Sequence, residues 1–175
     1  VAVCYAETDI VFPSEKETLQ IAIYEGFALL PMHLELSSGK TADGYFLVDT
    51  GCGGSSLYDN PSLSLYSESE VTSEQGGLAK PEIIRSLCHV NADSGSLKIT
   101  DWKLYLDNHG SLEQNIYGLG KDRPILGVIG TDILYKKSFY LSLSKCEIGW
   151  PSDCPFRAKT KLECRSVLWG DSLHP

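Results

Sequence analysis

The sequence predicts a mostly-β chain. Three observations carry that reading. Short apolar, partly β-branched runs dominate from Leu19 onward, turn-forming Ser, Gly and Asp clusters separate them, and there is neither an internal repeat nor a long amphipathic helix. In order, Gln20 to Tyr24, Leu30 to Leu36 and Tyr45 to Asp49 read as the first strands. Leu34 and Leu36 alternate with polar neighbours, and Ser37-Ser38-Gly39-Lys40 reads as the hairpin turn that follows them. Ser62 to Lys80, rich in Ser and Glu, reads as a mobile loop region. Further strands are expected at Ile83 to Val90, Leu97 to Thr100, Trp102 to Leu106 and Gln114 to Tyr117, with Asp93-Ser94-Gly95 as a hairpin turn. Thr131-Asp132 is placed to cap one short helix at Ile133 to Lys137. Phe139, Leu141 and Leu143 then alternate as a strand, Ser144-Lys145 turns, and Glu147 to Trp150 returns. The organisation expected is an N-terminal arm over 1–18, one domain over 19–150, and a tail over 151–175 rich in Pro, Cys and charge.

Bulk properties remove several function classes. With 175 residues there is room for one ordinary domain and a real core, but not for two of full size. A net charge of -8 argues against nucleic acid, which requires a basic face, and against docking on anionic membranes. No apolar stretch approaches the roughly 18 residues of a membrane span. The chain starts at Val1 rather than Met, so removal of a leader or a longer N-terminus is expected. Six cysteines, at positions 4, 52, 88, 146, 154 and 164, are too few for a disulfide scaffold and many for a reduced cytosolic protein. Bridges tying the termini to the body, and export to the periplasm or the cell exterior, are therefore expected, with the connectivity open.

Two segments point to chemistry. Phe46-Leu47-Val48 is a short apolar run that delivers Asp49 into the turn Asp49-Thr50-Gly51, with Ser55 six positions after the aspartate. Downstream, Val128-Ile129-Gly130-Thr131-Asp132-Ile133-Leu134 forms an apolar-apolar-Gly-x-Asp-apolar-Leu segment. In this order the two motifs resemble those of the retropepsin-like aspartic proteases, over roughly Leu19 to Trp150. The resemblance implies a closed β-barrel lobe with one short helix after Gly130-Thr131-Asp132, and an aspartic endopeptidase activity with no cofactor and no metal. The wide spacing between the motifs implies an insertion between them.

Peptide hydrolysis by this route requires two carboxylates, one acting as base on a water while the other, protonated, polarises the scissile carbonyl. Two carboxylates in contact share a proton and titrate as a pair. This chain offers one such motif, because Asp93-Ser94-Gly95 follows a polar segment and leaves no room for a second lobe. The resemblance therefore implies a homodimer acting on a peptide or protein substrate, with one Asp49 from each subunit at the two-fold axis. It also implies roles around the aspartate. Thr50 would hydrogen-bond across the axis, the Gly51 amide would orient the carboxylate, and Ser55, Gly130 and Asp132 would support the loop, Asp132 also by capping the helix. A flap is expected near Gly76 and Gly77. Cys52 stands where Ala, Ser or Thr is usual, as a small packed residue, a redox handle or a disulfide partner.

Other constellations fail on spacing. Gly120-Lys121 lacks the rest of a phosphate loop, and His33, His89, His109 and His174 lack zinc-hydrolase spacing. Cys52 with His89 or His109 has no local support as a nucleophile pair, and no G-x-S-x-G elbow is present. The reading from a different functional class is a non-catalytic retropepsin-like module for dimerisation or peptide binding.

Overall fold

A computed structural model describes residues 8–24, 26–58, 70–74, 83–107, 124–152, 167–169 and 172–174. Among these the fold is mostly β, with one short helix. The strands are β1 (Asp9–Val11), β2 (Thr18–Gln20), β3 (Ala22–Tyr24), β4 (Phe27–Leu36), β5 (Thr41–Val48), β6 (Ser56–Tyr58), β7 (Glu70–Glu74), β8 (Ile83–Ser94), β9 (Leu97–Asp107) and β10 (Ile125–Ile129). They are followed by α1 (Thr131–Leu134), β11 (Tyr140–Ser142), β12 (Glu147–Gly149), β13 (Val167–Trp169) and β14 (Ser172–His174).

Pairing runs β9-β6-β10-β5-β4-β8, and β8 pairs back onto β9, so six strands close into a barrel. Closure removes the free edges that an open sheet would expose. Most pairs are antiparallel, but β10 runs parallel to β5 and β6 parallel to β9. Around this ring β1 pairs with β9, β3 with β4 and β7 with β8. A smaller sheet in the order β11-β12-β2 lies beside it, and β13 pairs with β14.

The core follows from the alternation of the strands. Leu30, Met32, Leu34 and Leu36 of β4, Phe46 and Val48 of β5, and Leu126 and Ile129 of β10 share one cluster with Trp102 and Trp150. The opposite faces of the same three strands are not bare: Leu29, Leu47, Ile125 and Val128 form a second cluster with Tyr58. Burial on both faces suits the parallel β5–β10 pair and fits the unbroken apolar runs Phe46-Leu47-Val48 at the end of β5 and Ile125–Ile129 in β10. Phe46 is fully buried and stacks on Trp102 with ring centroids 5.3 Å apart; removing such a side chain from water contributes on the order of 2–3 kcal/mol. β10 lies between β5 and β6, and a Cβ on its Gly127 would sit 2.1 Å from the Ser56 carbonyl oxygen.

Several boundaries differ from the sequence expectation. The expected strand Gln20 to Tyr24 splits at Ile21 into β2 and β3, which join different sheets. Leu97 to Thr100 and Trp102 to Leu106 form one strand, because Asp101 takes a left-handed φ of 51° opposite a register shift between Val90 and Ala92 and pairing resumes beyond it. Within the Ser- and Glu-rich stretch, Glu70–Glu74 is a strand rather than loop. The segment assigned to the N-terminal arm contributes β1 to the large sheet and Thr18 to β2, while Phe12 packs on Trp150 at 5.5 Å between centroids. Gln114 to Tyr117 lies outside the described residues.

Candidate active site

Asp49 is the first residue beyond β5, and the ladder positions it. Val48 is the last residue of β5 paired with β10, opposite Ile129, and the Asp49 amide donates to the Ile129 carbonyl at 3.1 Å. The chain then leaves the barrel. Thr50 and Gly51 are exposed, and the Gly51 N–H turns back to donate to Asp49 Oδ1 at 2.8 Å. A hydrogen bond from an amide to a carboxylate is charge-assisted, and this one fixes the direction of one oxygen. The Asp49 carbonyl receives the Cys52 amide at 3.4 Å, completing the turn.

Beneath that turn the second motif closes a polar web. Ser55 is buried, and its hydroxyl donates to Asp132 Oδ1 at 2.7 Å while accepting from the Gly130 amide at 2.9 Å. Gly130 has no room for a side chain: a Cβ there would lie 2.8 Å from the Cys52 and Gly54 carbonyl oxygens. Thr131 donates twice, from its amide to the Cys52 carbonyl at 2.9 Å and from its hydroxyl to the Gly53 carbonyl at 3.2 Å. The Cys52 thiol donates to the Gly54 carbonyl at 3.0 Å and is half-buried against the second apolar cluster. Through Cys52, Gly53 and Ser55 the loop is thus tied to Gly130, Thr131 and Asp132.

The helix itself corrects one expectation. It begins at Thr131 and not Ile133, its N-cap is Gly130 in extended backbone, and no side chain caps it. Asp132 does not cap because it is already the second residue of the helix; its carboxylate instead accepts from Ser55, across 77 residues of sequence. The structure therefore brings Asp49, Gly51, Ser55, Gly130 and Asp132 into one neighbourhood, with Thr50 on the exposed side. Gly76 and Gly77, the flap candidates, lie outside the described residues. Thr131 was legible only as a capping residue, although a hydroxyl directly after the glycine of an apolar-Gly segment is a signal for loop anchoring.

Other candidate groups are engaged elsewhere. His89 Nδ1 donates to Asp101 Oδ1 at 2.5 Å across β8 and β9, while the Cys52 thiol is directed at Gly54. Cys52 and Cys146 carry free thiols. Among the described residues no group of three or more His, Cys, Asp or Glu side chains is arranged to hold a metal ion, and no helix is long and apolar enough to cross a membrane. Two open grooves on the β4–β8 side share His33, Asp93 and Gly95 and include no residue of the Asp49 loop.

No family model matches the chain, and no curated protein matches it. Among solved structures it is similar to a retropepsin-like aspartic protease from Rickettsia conorii, with 12% sequence identity over 82% of this chain and 93% of that one and a TM-score of 0.43.

Proposed function

We propose that the chain is one half of an aspartic endopeptidase, in which Asp49 carboxylates from two copies activate a water between them. The observation that carries this reading is the state of Asp49: an exposed-side carboxylate at the end of a buried strand, with one oxygen held by the Gly51 amide. A surface aspartate in an ordinary turn needs no such foundation, yet here Ser55, Gly130 and Asp132 brace the loop from below. In the reaction one carboxylate is ionised and takes a proton from the water, which attacks the scissile carbonyl carbon. The other carboxylate donates its proton to the carbonyl oxygen. Collapse of the tetrahedral species breaks the C–N bond as a proton passes to the leaving nitrogen. Thr50 and Gly51, exposed in the single chain, would face the second copy.

A peptide-library digest of the full chain beside Asp49→Asn tests this. The amide keeps an oxygen for the Gly51 N–H and so preserves the loop, but it cannot act as base or acid. Cleavage is expected to fall by about a thousandfold or more. Cleavage that survives in Asp49→Asn, or a wild type that cuts nothing from acidic to neutral pH, sinks the reading in favour of a non-catalytic module.

A further inference from the structure

The segment immediately after the aspartate contains Gly53-Gly54, the backbone least able to hold a shape by itself. Both of its carbonyls are nevertheless occupied. Gly53 O accepts from the Thr131 hydroxyl at 3.2 Å, and Gly54 O accepts from the Cys52 thiol at 3.0 Å. The preceding carbonyl, that of Cys52, accepts from the Thr131 amide at 2.9 Å, so three successive carbonyls are tied down. The chain connects this clamp to the aspartate, because the Cys52 amide donates to the Asp49 carbonyl. We infer that the Cys52 thiol and the Thr131 hydroxyl are positioning groups for Asp49, which hold the Gly53-Gly54 segment rigid by donating to its two consecutive carbonyls.

The alternative uses of both side chains are filled or closed. Thr131 is buried at the first position of α1, where the cap is Gly130, so its hydroxyl contributes nothing to helix initiation. Cys52 carries a free thiol and packs, half-buried, against the second apolar cluster, and an alanine would fill most of that contact. What distinguishes threonine and cysteine from their apolar counterparts here is the donated hydrogen. A reacting group must be held to within a fraction of an ångström, and a floppy diglycine next to it defeats that requirement.

The inference rests on the protease reading only where turnover is measured, so the experiment has two independent arms on the full chain. In the first, amide hydrogen exchange is followed in wild type, Thr131→Val, Thr131→Ser, Cys52→Ala and Cys52→Ser. Thr131→Val and Cys52→Ala are each expected to speed exchange at residues 53–55 about fivefold to tenfold, with β5 and β10 unchanged and the serine variants close to wild type. In the second, kcat for peptide cleavage falls about tenfold in Thr131→Val with KM within about twofold, and Thr131→Ser restores it. Unchanged exchange at 53–55 in both apolar variants overturns the inference, as does a Thr131→Ser variant no better than Thr131→Val. If Thr131→Val does not fold, Cys52→Ala beside Cys52→Ser decides alone. A wild type that cleaves nothing overturns the catalytic reading, and the exchange arm still decides the clamp.

Discussion

At Ser55 a single hydroxyl satisfies two groups from the other motif, accepting from the Gly130 amide and donating to the Asp132 carboxylate. The residue is 2% exposed, so water cannot replace it without opening the loop. Ser55→Ala leaves a buried N–H and a carboxylate oxygen without that partner, and the asymmetry between making and merely losing a hydrogen bond sets the magnitude. The expected cost is about 2–3 kcal/mol, read as a lowered urea midpoint with an unchanged slope. Asp132→Asn keeps an acceptor oxygen facing Ser55 and is expected to cost about 1 kcal/mol, the difference between a charged and a neutral acceptor. In a double-mutant cycle Ser55→Ala and Asp132→Ala are non-additive; strict additivity would mean that the two do not brace one another in solution.

Between strands, β5, β4 and β8 bring Asp43, His33 and Asp93 into direct register, one residue from each. His33 Nδ1 donates to Asp43 Oδ1 at 2.7 Å. That hydrogen bond, outweighing the effect of burial and aided by the charges of Asp43, Asp93 and Glu35, raises the imidazole pKa above its ordinary 6.5. A pKa raised by folding means that the protonated row stabilises fully below about 6.5 and that this stabilisation is lost as pH rises through the folded value. The pair is largely exposed and solvent screens it, so the effect on stability is small. An NMR titration of His33 reads it directly: the midpoint is expected above 6.5 in wild type and to fall in Asp43→Asn, and a wild-type midpoint at or below 6.5 contradicts the assignment. This row was not legible beforehand, because register depends on which strands meet. The same limit governs the elements. β5 and β10 announce themselves by apolar runs buried on both faces, whereas Glu70–Glu74 is polar and joins β8 through its backbone, leaving no hydrophobic period to detect. β1 and β2 are three-residue strands, too short to show an alternation, and Asp101 interrupts the pattern of β9 without interrupting the strand.

For the whole molecule, the barrel accounts for why the two motifs can meet at all. β5 and β10 are parallel neighbours, so the chain leaves both at the same end, and Asp49 emerges beside Gly130. That juxtaposition was legible as a resemblance between motifs; the hydrogen bonds from Thr131 and Cys52 that complete it were not, since they depend on where the carbonyls of Gly53 and Gly54 point. Among the described residues the barrel offers one such end with one Asp49, so the proposed dyad requires a second copy of the chain. Such a dyad has a stoichiometric consequence. When wild type is mixed with an equal amount of Asp49→Asn and the subunits exchange freely, about one dimer in four contains two intact aspartates, one half is mixed, and the rest is doubly substituted. If both carboxylates are required, the mixture is expected to retain about a quarter of the activity that the total protein would show as wild type, and about half of what its wild-type component shows when diluted with buffer to the same protomer concentration. Increasing the Asp49→Asn share lowers activity with the square of the wild-type fraction. A linear dependence, in which added Asp49→Asn protein neither helps nor harms, would place a complete active site within a single chain and remove the two-fold axis from the mechanism.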